Sequence, residues 1–167
     1  MDYELKISEM TKEHARIISK WTYNDIYSFY NHCEEFVDEC MDGMHFVFTS
    51  SKGELLGYLC FGKEARIPTV EKNIYDDDFL DIGLHIRPDL TGKKLGSSFL
   101  DACLEYAREN YNSNRVRATI ASFNERALNL CKSAGFYSDR EVTHSTLKNK
   151  FTIVKRVHEG LREPYPQ

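Results

Sequence analysis

The sequence predicts a mixed α/β protein whose central sheet is mostly antiparallel and flanked by helices. Three observations carry that expectation. Apolar residues alternate with polar ones in short segments at both ends of the chain, the signature of antiparallel hairpins. In the middle, alternating segments give way to stretches with apolar residues at helical spacing. With 41% hydrophobic and 29% charged residues over 167 positions, the chain has enough apolar surface for one sizeable core. The expectation is a single domain over residues 1–167, with its core at about 3–158 and a loose tail at 160–167.

Taken in order, Tyr3 to Ile7 reads as a strand, and Thr11 caps a helix carrying Ala15, Ile17, Ile18 and Trp21. Residues 23–41 form a second helical or mixed segment, with Tyr23, Ile26, Tyr27 and Tyr30 on one side. His45–Ser50 and Glu54–Gly62 flank Ser51-Lys52-Gly53, which is hairpin turn chemistry. Residues 63–78 lose all periodicity and end in Asp76-Asp77-Asp78, a long loop of the kind that often carries function. Phe79–Ile86 is the clearest strand, with Leu80, Ile82, Leu84 and Ile86 on one face and Phe79, Asp81, Gly83 and His85 on the other. After Pro88 a glycine-containing turn leads into a helix striped by Phe99, Leu100, Cys103, Leu104 and Ala107. Arg115–Ser122 alternates as a strand, Asn124 opens a short helix stopped by Ala134-Gly135, and Phe136–His158 reads as two long strands joined near Leu147–Asn149.

Composition excludes several classes. A net charge of -4 lacks the broad positive field that non-specific nucleic-acid binding needs. The longest strongly apolar stretch, Leu55–Phe61, is far too short to span a bilayer, and no basic-then-apolar leader opens the chain. Cysteines at 33, 40, 60, 103 and 131 include no CxxC pair, which argues against a disulfide framework or a structural metal site. Reduced thiols and a cytoplasmic location follow as expectations, with no metal, nucleic acid or membrane partner.

The turn at 89–98 is the most informative stretch. A strand that runs through a turn with two glycines into a helix N-terminus aims several unpaired N–H groups at one point, an anion or phosphate cradle. Gly92 and Gly96 allow close backbone approach, Lys93 and Lys94 add positive charge, and Ser97 and Ser98 add hydroxyls. An ordinary turn that binds nothing is the alternative. Ser97 follows Gly96 where an NTPase loop has Lys, and Lys94 stands where a GxGxxG loop has its second glycine, so neither motif is present.

These residues resemble the GNAT N-acetyltransferase superfamily. Leu84-His85-Ile86-Arg87-Pro88 followed by Thr91-Gly92-Lys93-Lys94-Leu95-Gly96-Ser97 is similar to its cofactor motif, a strand, Pro and [Q/R]xxGx[G/A] at the mouth of a helix. Asn124-Glu125-Arg126-Ala127 with Ala134-Gly135-Phe136 is similar to its second signature, and the resemblance covers about residues 3–158. In appearance it is closest to bacterial ribosomal-protein alanine acetyltransferase-like proteins. Three positions depart from the pattern: Thr91 and Lys94 replace the usual Gln or Arg and Gly, and Cys131 stands where many relatives place a Tyr that protonates the leaving thiolate.

The resemblance implies an acetyl-CoA-dependent N-acetyltransferase that acts on a primary amine by direct transfer, with a protein N-terminus, a polyamine, an amino acid or an amino sugar as acceptor. It implies an oxyanion donor among the main-chain N–H groups of Leu84, His85 and Ile86. It also implies a pyrophosphate held by Thr91, Gly92, Lys93, Lys94, Leu95, Gly96 and Ser97, with Asn124 and Ala127 along the cofactor arm. Asp81 and His85 share a strand face about 13 Å apart, too far to bond directly, and either is a candidate base; a strand-end carboxylate is the plain alternative for Asp81. Candidates for the acid are Tyr137, Tyr106 and Cys131, with packing residues and a core thiol as the plain alternatives, and the resemblance also admits an enzyme with no dedicated acid. Trp21, Tyr23, Tyr27 and Tyr30 are candidates for the acceptor cleft, with Asp76–Asp78 as an attractant for a cation. Arg66 has no assignment. The alternatives are a non-catalytic acyl-CoA-binding module of the same fold, its acid lost at Cys131, and an interaction module that no longer binds coenzyme A, with Lys94 blocking the loop; the chain would be a monomer or homodimer.

Overall fold

A computed structural model describes residues 4–158, so Tyr3 and the tail at 160–167 lie outside the described residues. Seven strands form one sheet in the order β1 (Lys6–Glu9), β2 (His45–Thr49), β3 (Leu55–Phe61), β4 (Leu80–Ile86), β5 (Arg115–Ala121), β7 (Lys150–Val157) and β6 (Tyr137–Thr143). Every neighbouring pair is antiparallel except β4 with β5, which are parallel. A parallel pair needs a crossover, and helix α3 (Gly96–Tyr111) supplies it. The mixed, mostly antiparallel sheet flanked by helices is the fold the sequence predicts.

Strands β2 and β3 are buried almost throughout because both faces are covered. Phe46, Phe48, Leu59 and Phe61 face α3, where Phe99, Leu100, Cys103 and Ala107 complete the main core. Val47 and Tyr58 face α1 (Lys12–Ser19) and α2 (Phe36–Glu39) through Ala15, Ile18, Phe36 and Cys40. Thr11 caps α1 by accepting a hydrogen bond from His14 N at 3.1 Å. The first strand begins at Lys6 rather than further toward the N-terminus, because the pairing Ile7–Phe48 sets its register on β2. Residues 23–41 hold a 3-10 turn at Asp25–Tyr30 and the four-residue α2. The C-terminal strands pair with each other and with β5 inside the chain.

The long loop after β3 covers the β5–β7 half of the sheet, where Ile74 joins Ala121, Val142, Phe151 and Ile153 in a smaller core. Thr143 N donates to the Glu71 carboxylate at 2.9 Å and anchors this loop to β6. All five cysteines are free thiols, four of them buried. Among the described residues no helix is long and apolar enough to cross a membrane.

Candidate active site

Strands β4 and β5 are in register only at Leu80–Val116 and Asp81–Arg117, and beyond those pairs they splay apart. Arg87 N donates to Leu56 O on β3 at 2.9 Å. Alternate residues of a strand point their main-chain groups to opposite sides, so those of Leu84 and Ile86 face the gap. A cavity of about 460 Å³ fills this gap, lined by β4, β5, the turn before α3, and α4 (Glu125–Ser133). Its lining includes Leu84, His85, Ile86, Thr91, Gly92, Lys94, Leu95, Gly96, Asn124 and Ala127, most of the residues expected to hold a cofactor. Lys93 and Ser97 are not part of that lining.

The turn is built for close approach. Gly92 sits at a φ of 73°, and a Cβ there would come within 3.0 Å of Arg126 Nη1. At Gly96 a Cβ would meet Leu130 Cδ2 at 2.9 Å, so glycine lets α3 start against α4. The first N–H groups of α3 have no acceptor within the helix and no side chain caps them. Arg126, which lay unassigned inside the second signature, lines the cavity with its guanidinium 4.0 Å from the Tyr27 ring centroid. Arg87 pins the loop from outside through Asp89 at 2.6 Å and Glu54 at 2.9 Å.

Lys94 occupies a left-handed φ of 61°, the conformation that makes glycine favourable there. Lys94→Gly is expected to stabilise the protein by about 0.5–1 kcal/mol. Relief of about 1–2 kcal/mol of strain is offset by about 0.5–1 kcal/mol of added chain entropy, and urea unfolding midpoints check this.

Several candidates sit elsewhere. Asp81 is 1% exposed and accepts from Arg66 Nε at 2.7 Å and from Arg117 Nε and Nη2 at 2.7 and 2.8 Å. Both its oxygens are thus held by guanidinium groups and it is not part of this cavity's lining, which fits the plain alternative and assigns Arg66 a structural role. Asp77 of the acidic loop pairs with Arg117 and Lys155, so it too is spent on structure. Tyr137 is 51% exposed on the edge strand β6, away from both cavities, because its register faces it outward. Tyr106 packs on Phe46 and Phe61, Trp21 on the α1–α2 core, and Tyr27 against Phe123. Cys131 does line the cavity, and burial pushes its thiol up to about 12.

A second cavity of about 300 Å³ lies on the other side of β4, lined by Tyr30, His32, Glu39, His45, Tyr58, Glu64 and His85 among others. Tyr30 and His85 line both cavities. The His85 ring stacks on Tyr58 at 4.5 Å, and Tyr58 Oη bonds His32 Nε2 at 2.8 Å. Burial, with a smaller contribution from neighbouring histidines, pushes His85 down to about 3 and His32 down to about 4, so both are neutral near pH 7. His45 is fixed by Asp42 at 2.9 Å. Of its lining the sequence singles out only Tyr30 and His85, because the other residues come from separate elements.

The profile of the acetyltransferase (GNAT) family matches residues 10–136. No curated protein matches the sequence. Among solved structures, an acetyltransferase (GNAT family) from Bacillus anthracis superposes with a TM-score of 0.71 at 17% identity, covering 93% of this chain and 96% of its own. A chimera of the spermidine N-acetyltransferase SpeG from Vibrio cholerae and hSSAT gives a TM-score of 0.70 at 15% identity, covering 92% and 95%. At these identities the likeness is one of fold.

Proposed function

This chain belongs to the acetyltransferase (GNAT) family, and on that premise we propose that it transfers the acetyl group of acetyl-CoA directly to a primary amine. The observation that carries the reading is the splayed β4–β5 gap, with a phosphate-suited turn at one end and a second cavity across β4. The residues present suit the cosubstrate. N–H groups at the start of α3, with Lys94 and Arg126, would hold the pyrophosphate, and the free edge of β4 would pair with the pantetheine arm. Acetyl-CoA supplies an activated thioester. A main-chain N–H of Leu84 or Ile86 would donate to the acetyl oxygen as charge develops there. Asn124 Oδ1 accepts from Ala127 N at 3.1 Å and caps α4, so its contribution to the arm would run through its remaining N–H.

The amine would enter through the second cavity, where neutral His85 and His32 accept hydrogen bonds without repelling a cation. Glu39 and Glu64 in its lining favour an acceptor with a further positive charge, such as a diamine or polyamine. Similarity to the ribosomal-protein alanine acetyltransferase-like group would instead imply a protein N-terminus; a cavity of about 300 Å³ with two carboxylates favours the small amine. Free thiols and the lack of a membrane-crossing helix among the described residues fit a cytoplasmic setting.

Saturating acetyl-CoA, at about 100 times its Kd, is expected to add about 2.7 kcal/mol of stability. In a protein of this size that raises Tm by about 5–10 °C. Coenzyme A should do the same and ATP should not. A panel of monoamines, diamines and N-terminal peptides then reads the acceptor, with diamines expected to give the highest kcat/KM. No Tm rise with either coenzyme A form would overturn the cosubstrate, and peptides outperforming every diamine would overturn the acceptor.

A further inference from the structure

Acetyl transfer to an amine forms a C–N bond and breaks a C–S bond; the amine loses one proton and the departing thiolate must gain one. The donor has to reach the gap between β4 and β5, carry its proton at neutral pH, and not already have given that proton to a neighbour. Cys131 lines the gap, but burial pushes its thiol up to about 12 and no hydrogen bond among the described residues steadies it. His85, held neutral by burial, carries no spare charge-bearing proton.

Four hydroxyl-bearing side chains line the gap: Tyr23, Tyr30, Thr91 and Thr119. Three are engaged. Tyr23 Oη donates to Ile86 O at 2.8 Å, and Thr91 Oγ1 donates to Pro88 O at 2.7 Å. Thr119 Oγ1 shares a hydrogen bond with Tyr75 Oη at 2.8 Å in which either oxygen can donate, and an aliphatic alcohol is a far weaker acid than a phenol. Tyr30 differs in the sense of its bond. The Asn124 carboxamide is oriented by its cap on Ala127 N, so its Nδ2 faces Tyr30 and donates to Oη at 3.0 Å. The Tyr30 oxygen is therefore an acceptor, and its own proton is free to point into the cavity.

Resting on the acetyltransferase reading above, we infer that Tyr30 is the catalytic acid, donating its Oη proton to the sulfur of the departing coenzyme A thiolate. It stands where both cavities meet, and its ring is fixed by edge contacts to Phe29, Phe123 and His85. The Asn124 Nδ2–H steadies the phenolate that results, and the proton released by the amine on the same boundary, passed through water, restores the phenol. Burial raises the Tyr30 pKa against the opposing pull of Asn124, which keeps the side chain protonated at neutral pH. A tyrosine from the 3-10 turn thus takes over work that Cys131 in α4 cannot perform.

Tyr30→Phe keeps the ring packing and removes the proton. The expected kcat falls about 100-fold with little change in either KM. A binding measurement that needs no turnover separates this role from a structural one. By calorimetry at pH 9, Tyr30→Phe should weaken free coenzyme A about tenfold, because its thiolate loses a donor, and leave acetyl-CoA within about twofold. Cys131→Tyr in that background is expected to return part of the lost kcat. The assignment is overturned if Tyr30→Phe keeps kcat within about threefold, or if both affinities fall together. A wild-type protein that binds neither ligand would instead overturn the acetyltransferase reading, and this assignment with it.

Discussion

Asp81→Ala is expected to remove about 3–5 kcal/mol of stability, on the order of 10 °C in Tm, by stripping Arg66 and the buried Arg117 of the carboxylate they share and leaving Arg117 with Asp77 alone. The side chain is buried where β4 and β5 last pair, and Arg117 beside it is fully buried, reaching Asp81 through two nitrogens and Asp77 through a third. The whole pair contributes less than this figure, since burying two charges is itself costly; the loss comes from stranding one partner. Chemical unfolding of Asp81→Ala and Asp81→Asn checks it. A catalytic base would give the opposite pattern, with Asp81→Asn folding normally and turnover abolished. Full stability of Asp81→Ala would sink the structural account.

Acidification gives the second large effect. His85 and His32 have folded pKa values near 3 and 4, below the unfolded value of about 6.5, so the folded state binds fewer protons. Stability from keeping these rings neutral is complete above pH 6.5 and is lost as pH falls toward 4. At pH 5 each imidazole costs about 2 kcal/mol, and the two together about 4. Tm measured from pH 7.5 to 4.5 should fall accordingly, and His85→Gln should remove about half of that slope. A Tm unchanged between pH 7 and pH 5 would show that the rings protonate in place.

The cofactor side of the cleft was legible in the sequence because its chemistry is local. Strand alternation through Leu84–Ile86, the turn at 91–96 and the Asn124 cap all lie within a few residues of what they organise. Asp81 and Asp77 were ambiguous because their partners Arg117, Arg66 and Lys155 arrive only through strand pairing and a long loop. The second cavity draws on α2, β2, β3, β4 and two turns, and no spacing along the chain encodes it. Among the tyrosines, the 3-10 turn decides the outcome. Its period of three eclipses Tyr27 and Tyr30, so both face the start of α4, where Tyr30 meets Asn124 and Tyr27 packs under Arg126.

Among the described residues, the two residue pairs that join β4 to β5 are also the only strand pairing between β1–β4 and β5–β7–β6. So narrow a seam leaves the two parts of the sheet joined mainly through a shared core, where Val116, Ala118 and Val154 pack with residues of β2, β3, β4 and α3, and lets the main-chain ladders of either part open separately. Native-state amide exchange should protect the two halves to different degrees, with the boundary between β4 and β5. A ligand main chain laid along β4 would span that boundary, raise the protection of the weaker half, and so turn two foldons into one.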